Sequence, residues 1–196
     1  WKALVPVLGY LVLRGRCERC GERISVFYPM LEIFNGFLLW LIFRKTGWQL
    51  EFIHAALIFE LFLLIAVIDF QSHLIYPQPI VIGLVIHSAW IFYSPNADLP
   101  VALLGLFVGA GLFHWIAYLY KVLRNRVGLG DGDATVLGLI GFVLGWKALF
   151  SVIFWGAVFG ILGGGIILLL NRQSFKHEIA FGPWLVLAAF FAWYFP

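Results

Sequence analysis

The chain has 196 residues, of which 63% are hydrophobic and 12% charged, against roughly 45–50% apolar and 25% charged in ordinary soluble domains. This composition excludes a disordered chain, a secreted disulfide scaffold and an ordinary soluble domain, and it points to an all-α, polytopic bundle of membrane helices embedded in a lipid bilayer. The net charge of +3 is too small an excess to indicate nucleic acid; in a membrane protein it reports orientation, because Lys and Arg gather in cytoplasmic loops.

In chain order, residues 1–29 are the least apolar part and form the first expected domain, a short cytoplasmic segment. Arg14, Arg16, Arg19 and Arg23 surround its two cysteines, Cys17 and Cys20. Two cysteines imply no disulfide framework. The chain begins with Trp1 rather than Met, so a preceding segment is expected, and nothing at its start reads as a signal peptide.

Residues 30–196 form the second expected domain. Seven apolar segments follow one another at about 30–43, 51–69, 79–94, 100–120, 133–147, 150–171 and 179–195. The breaks between them carry turn chemistry: Arg44-Lys45-Thr46-Gly47, Tyr76-Pro77-Gln78-Pro79, Ser94-Pro95-Asn96, Gly128 to Gly132, and Asn171 to Glu178. Gly163-Gly164-Gly165 lies inside the sixth, where small residues permit close helix packing. With the first segment in the cytoplasm, Lys2, Arg14, Arg16, Arg19, Arg23, Lys121, Arg124, Arg126, Arg172 and Lys176 fall inside. Arg44, Lys45 and Lys147 fall outside. Ten against three is a positive-inside pattern.

The carboxylates stand out against this frame. Asp69 closes the second span and Asp131 and Asp133 open the fifth, all at the cytoplasmic end. Acids at the margin of hydrocarbon are costly unless paired or solvated, so they are functional candidates. Taken alone, the run Gly128-Leu129-Gly130-Asp131-Gly132-Asp133-Ala134-Thr135 reads equally well as a capped helix start. Taken together, Asp69 and an acid of that run suggest a catalytic pair, because two close carboxylates do not both ionise easily and one keeps a proton. One acid can then activate water while the other protonates the substrate. The turn reads either as Gly128-x-Gly130-Asp131, which picks Asp131, or as Gly130-x-Gly132-Asp133, which picks Asp133 immediately before the apolar run Ala134 to Leu144, with the helix starting at the acid and Asp131, Gly130 and Gly132 beside it.

Several motifs in order now carry a resemblance. Arg14-Gly15-Arg16-Cys17-Glu18-Arg19-Cys20 is followed by Tyr28-Pro29-Met30-Leu31-Glu32, then Ile68-Asp69, then Gly130-Asp131-Gly132-Asp133 with Gly141 and Gly145-Trp146, then Phe181-Gly182-Pro183. This series resembles the type IV prepilin leader peptidases, bifunctional membrane enzymes among the GxGD aspartyl proteases. The resemblance implies a bacterial inner-membrane endopeptidase that removes the leader of prepilins and pseudopilins at the cytoplasmic face, with Asp69 and Asp133 as its catalytic pair. It implies, too, that many such enzymes then methylate the new N-terminus with S-adenosylmethionine. Phe181-Gly182-Pro183 opens the last span at the depth of the aspartates, so Gly182 and Pro183 are expected to border the site, with Gly130, Asp131 and Gly132, and to help hold an extended substrate strand. The pattern is departed from at Tyr76-Pro77-Gln78, Thr135 and Asn35, none of which touches the two acids.

Cys17 and Cys20 resemble the second half of that family's zinc ribbon. A structural zinc site takes four Cys or His ligands, so this pair is an incomplete site. Glu60 lies nine residues before Asp69, on the opposite helix face, and reads as paired or protonated. Glu32 reads as a cap or as a contact to the first segment. His54, His73, His87, His114 and His177 lack metal-ligand spacing. Two other function classes stay open on the residues alone. One is an ion- or proton-coupled transporter using Glu60, Asp69 and Asp133, which an inverted repeat would favour. The other is a metal-dependent lipid head-group transferase using Asp131 and Asp133, which metal chelation would abolish.

Overall fold

The computed structural model describes residues 5–95, 97–124, 130–166 and 180–195. Among them the secondary structure is helical, with no strand beyond one isolated bridge between Arg16 and Arg23. Gly128, Arg126, Arg172, Lys176, His177 and residues 167–171 of the sixth expected span lie outside the described residues. The chain divides into two compact units, residues 1–56 and 57–196.

In the first unit, a single turn of helix, α1 (Leu8–Val12), leads into a hairpin and then α2 (Phe27–Thr46). The hairpin closes through the Cys17 N–H on the Glu22 carbonyl at 2.8 Å and the Ile24 N–H on the Gly15 carbonyl at 2.8 Å. Gly21, at φ 72°, makes the reversal that follows Cys20. Glu32, on the first turns of α2, accepts the Val7 N–H at 2.6 Å, which settles it as a contact to the first segment. Phe43, Trp48 and Phe52 cluster at centroid distances of 5.8–6.2 Å where α2 gives way to α3.

Helix α3 (Leu50–Ser72) runs on into the second unit, followed by α4 (Pro77–Tyr93), α5 (Leu99–Arg124), α6 (Asp131–Leu144) and α7 (Trp146–Phe159). A π-helical turn, Gly160–Gly164, extends α7, and α8 (Gly182–Tyr194) comes last. Four of these helices are long and apolar enough to cross a membrane: α2, α3, α5 over Leu99–Tyr120, and α7 with its π turn over Trp146–Gly164. Pro77–Tyr93, Gly132–Leu144 and Gly182–Tyr194 are apolar but shorter. A helix of 13 residues reaches about 20 Å at 1.5 Å per residue, less than the roughly 30 Å of bilayer hydrocarbon.

Helix α6 is the hub of this unit, packing on α4, α5, α7 and α8. Ala134, Val136, Leu137, Leu139, Ile140 and Phe142 are all buried, so α6 is apolar on every side because protein surrounds it. Its shortness follows, since a helix sheathed by neighbours need not match the bilayer by itself. The closest approach is to α5, where Gly105 and Gly141 oppose each other so tightly that a Cβ on either would run into the other's carbonyl. The expected span 133–147 is corrected to Asp131–Leu144. Gly145, at φ 81°, ends α6 and starts α7 at Trp146, a conformation that residues with a side chain rarely adopt.

Candidate active site

Asp69 sits in the last turn of α3. Ile58, Phe59, Phe62, Ile65 and Ala66 are buried, and the spacing from Phe62 through Ile65 and Ala66 to Asp69 is that of one helix face. The acid therefore continues the buried stripe, and it is itself only 5% exposed. Helix α3 ends just beyond it: the His73 N–H donates to the Asp69 carbonyl at 2.8 Å, and His73 adopts a φ of 56°. His73 also lies within electrostatic reach of the Asp69 carboxylate.

Asp133 sits in the first turn of α6. The helix starts at Asp131 with Gly130 as its N-cap, not at Asp133 as the sequence suggested, because the Asp133 N–H already donates to the Gly130 carbonyl at 3.1 Å. Both acids thus lie within the first turn, where negative charge is favoured by the helix dipole. The side chain of Asp131 lies outside the described residues. Asp133 Oδ2 lies 3.5 Å from where a Cβ on Gly130 would be, and a Cβ on Gly132 would meet Ile75 at 2.9 Å. Nothing in the sequence marked Ile75, an aliphatic residue in the connection after Asp69.

Gly182 and Pro183 open α8. The Gly182 N–H donates to Asp69 Oδ2 at 3.0 Å in a buried contact. The ends of α3, α6 and α8 therefore converge. Asp69 and Asp133 are close enough for their charges to interact, and Gly182 touches the first of them. Such an arrangement can perform acid–base chemistry.

Cys17 and Cys20 belong to the other unit, and both are free. Backbone N–H groups of Cys20, and secondarily of Arg19, point at the Cys17 sulfur and hold its thiol below the usual range. Cys20 faces the Glu22 carboxylate at 3.9 Å. Among the described residues no group of three or more His, Cys, Asp or Glu is placed to hold a metal ion. A structural zinc site takes four ligands, and these two thiols do not by themselves make one.

The model of the bacterial peptidase A24 N-terminal domain matches residues 1–46, and that of the type IV leader peptidase family matches residues 55–165. The chain belongs to the type IV leader peptidase family. This type IV leader peptidase family member carries Asp69 and Asp133 within the second match and the cysteines within the first, while Gly182 follows both. Three relatives are each named prepilin leader peptidase/N-methyltransferase. The protein from Pseudomonas putida is 32% identical over 98% of this chain and 66% of its own length. That from Bacillus subtilis is 30% identical over 97% and 75%. That from Myxococcus xanthus is 32% identical over 89% and 52%. The chain thus spans between about half and three quarters of the length of these relatives. No solved structure matches it. Apolar helices and family together make it a multi-pass membrane protein.

Proposed function

We propose that this protein is an intramembrane aspartyl endopeptidase that removes the leader peptide of type IV prepilins or pseudopilins at the cytoplasmic face of the bacterial inner membrane. Asp69 and Asp133 are the catalytic pair, one activating a water and the other protonating the leaving amine. The observation that carries the reading is the convergence of buried Asp69 with Asp133 at helix ends, in a chain of this family. The seven apolar segments all cross the bilayer in this proposal, the three short helices within the shelter of the longer ones. The positive-inside pattern of the sequence supports a cytoplasmic position for the two acids.

Methylation of the new N-terminus, with S-adenosylmethionine as donor, is the second part of the proposal. It is supported by the relatives' names and by the match over residues 1–46. Zinc enters the proposal only as a structural ion for which Cys17 and Cys20 supply two of the ligands.

The test is incubation of the purified chain with a type IV prepilin, reading the products by mass. Cleavage at the leader junction that persists in EDTA supports an aspartyl peptidase. Absence of cleavage, or cleavage abolished by chelation, overturns it.

A further inference from the structure

The start of a helix leaves backbone N–H groups without partners inside the helix. In α8 those groups have separate fates. The Trp184 and Leu185 N–H groups both donate to the Phe181 carbonyl, at 3.1 and 3.2 Å. Pro183 has no N–H, and its ring pre-sets a helical φ. Gly182 is left with the donor that reaches Asp69 Oδ2, across 113 residues of sequence. The glycine is required sterically as well: a Cβ there would fall 2.6 Å from Oδ2 and 3.2 Å from Cγ of Asp69. The carboxylate has therefore settled into the space where any other residue keeps its side chain.

The rest of α8 is built to hold this N-terminus still. Leu185 lies 3.2 Å from where a Cβ on Gly156 would be, and the Trp184 ring fills the space above Gly163 in the π turn. Trp155 meets Phe191 at 4.9 Å, and Phe59 of α3 meets Phe190 at 5.2 Å. Helix α8 is thus fixed against both α7 and the helix that carries Asp69.

We infer that Gly182 is a positioning residue for the aspartyl pair: its N–H holds Oδ2 of Asp69 as an acceptor, leaving Oδ1 to deal with the attacking water and with Asp133. The inference rests on the endopeptidase reading above. It differs from a role for Phe181-Gly182-Pro183 in gripping substrate, because the partner of the Gly182 donor is the acid itself.

The experiment measures kcat and KM of the purified full chain in nanodiscs, with a synthetic peptide spanning a type IV prepilin leader junction. Gly182→Ala should lower kcat by about 100-fold, the scale of misplacing a reacting group by about 1 Å, with KM within about two-fold of wild type. Replacing Gly182 by glycolic acid, which turns the amide into an ester and adds no atom, should lower kcat by roughly 10–100-fold, the scale of one hydrogen bond to a charged group. This second variant carries the test if Gly182→Ala does not fold. Gly160→Ala, whose Cβ would make only ordinary 3.5 Å contacts with Phe181 and Trp184, should leave both constants unchanged. Wild-type kcat in the ester variant overturns the inference. So does a raised KM with kcat unchanged, which would place Gly182 on the substrate. If Asp69→Asn and Asp133→Asn both cleave at wild-type rates, it is the endopeptidase reading that fails.

Discussion

Gly132 and Ile75 meet with no room to spare: a Cβ on Gly132 would lie 2.9 Å from both Cβ and Cδ1 of Ile75. Ile75 follows Asp69 in the connection to α4, and Gly132 precedes Asp133, so this contact sets how closely the two acid-bearing segments approach. Gly132→Ala should favour the helix locally, since Ala is the better helix former, yet push the segments apart. Cleavage should fall roughly 10–100-fold with helicity by circular dichroism unchanged. Adding Ile75→Gly, which removes the obstructing Cβ, should recover most of the loss. Undiminished cleavage by the single variant would separate the contact from function.

The catalytic assignment predicts a graded series. Asp69→Asn and Asp133→Asn each remove one of two acid–base groups and should lower the single-turnover cleavage rate by several orders of magnitude. Asp131→Asn should keep measurable activity. All three should insert and fold, since a carboxamide costs less than a carboxylate at a membrane margin. A dead Asp131→Asn beside an active Asp133→Asn would move the catalytic role two residues back.

The packing of α5 on α6 predicts a stability effect unrelated to chemistry. Gly105→Ala forces a methyl into the Gly141 backbone, an overpacking that costs about 1–3 kcal/mol or more. Gly111→Ala, on the same helix with nothing within 4 Å of its Cβ, should be neutral. Thermal unfolding in detergent should therefore show a lowered midpoint for Gly105→Ala alone. Equal midpoints would contradict the close approach.

Orientation is tested on the two ends of α3. In a Cys17→Ser, Cys20→Ser background, a cysteine replacing Trp48, which is 82% exposed, should react with an impermeant maleimide added to intact cells. One replacing Gln78, exposed at the start of α4, should react only after lysis. The opposite pattern would invert the topology and place the acids outside.

The hairpin predicts a lowered thiol pKa at Cys17. The N–H groups of Cys20 and Arg19 favour the charged form of Cys17, so its thiol titrates below the usual range. Because the pKa is lowered, the thiolate forms at lower pH, and alkylation of Cys17 should set in on the acidic side of a normal cysteine as pH is raised. Iodoacetamide followed by peptide mass mapping at pH 6.5–7.5, a range chosen to bracket roughly the lower edge of thiol ionisation, should find Cys17 modified at lower pH in the folded chain than in the denatured chain. The same pH dependence in both would mean that the amide groups do not face the sulfur in solution.

Much of this protein was legible in the chain. Apolar runs specify helices directly, because backbone polar groups in hydrocarbon must be paired within each segment. Phe62, Ile65, Ala66 and Asp69 share one helix face by spacing, but residues 61–68 are apolar on every face, so only packing marked that face as the buried one. The glycine-rich turn announced a second acid through composition, and the order of motifs announced the family.

What the sequence could not supply were particular backbone conformations and the contacts between segments far apart in the chain. The α6 start at Asp131 depends on a backbone hydrogen bond to Gly130, and the stop at Leu144 on Gly145 adopting φ 81°, a conformation that glycine permits without requiring it. Ile75 looks like any loop aliphatic until Gly132 is laid against it. Phe181-Gly182-Pro183 looks like a helix opening until α7 and α3 aim its free N–H at Asp69. Local sequence determines which groups are left unpaired, through helix ends, missing side chains and missing donors. Only packing decides which distant group each one meets, because a close approach depends on the sizes of side chains on every helix that holds the two segments apart.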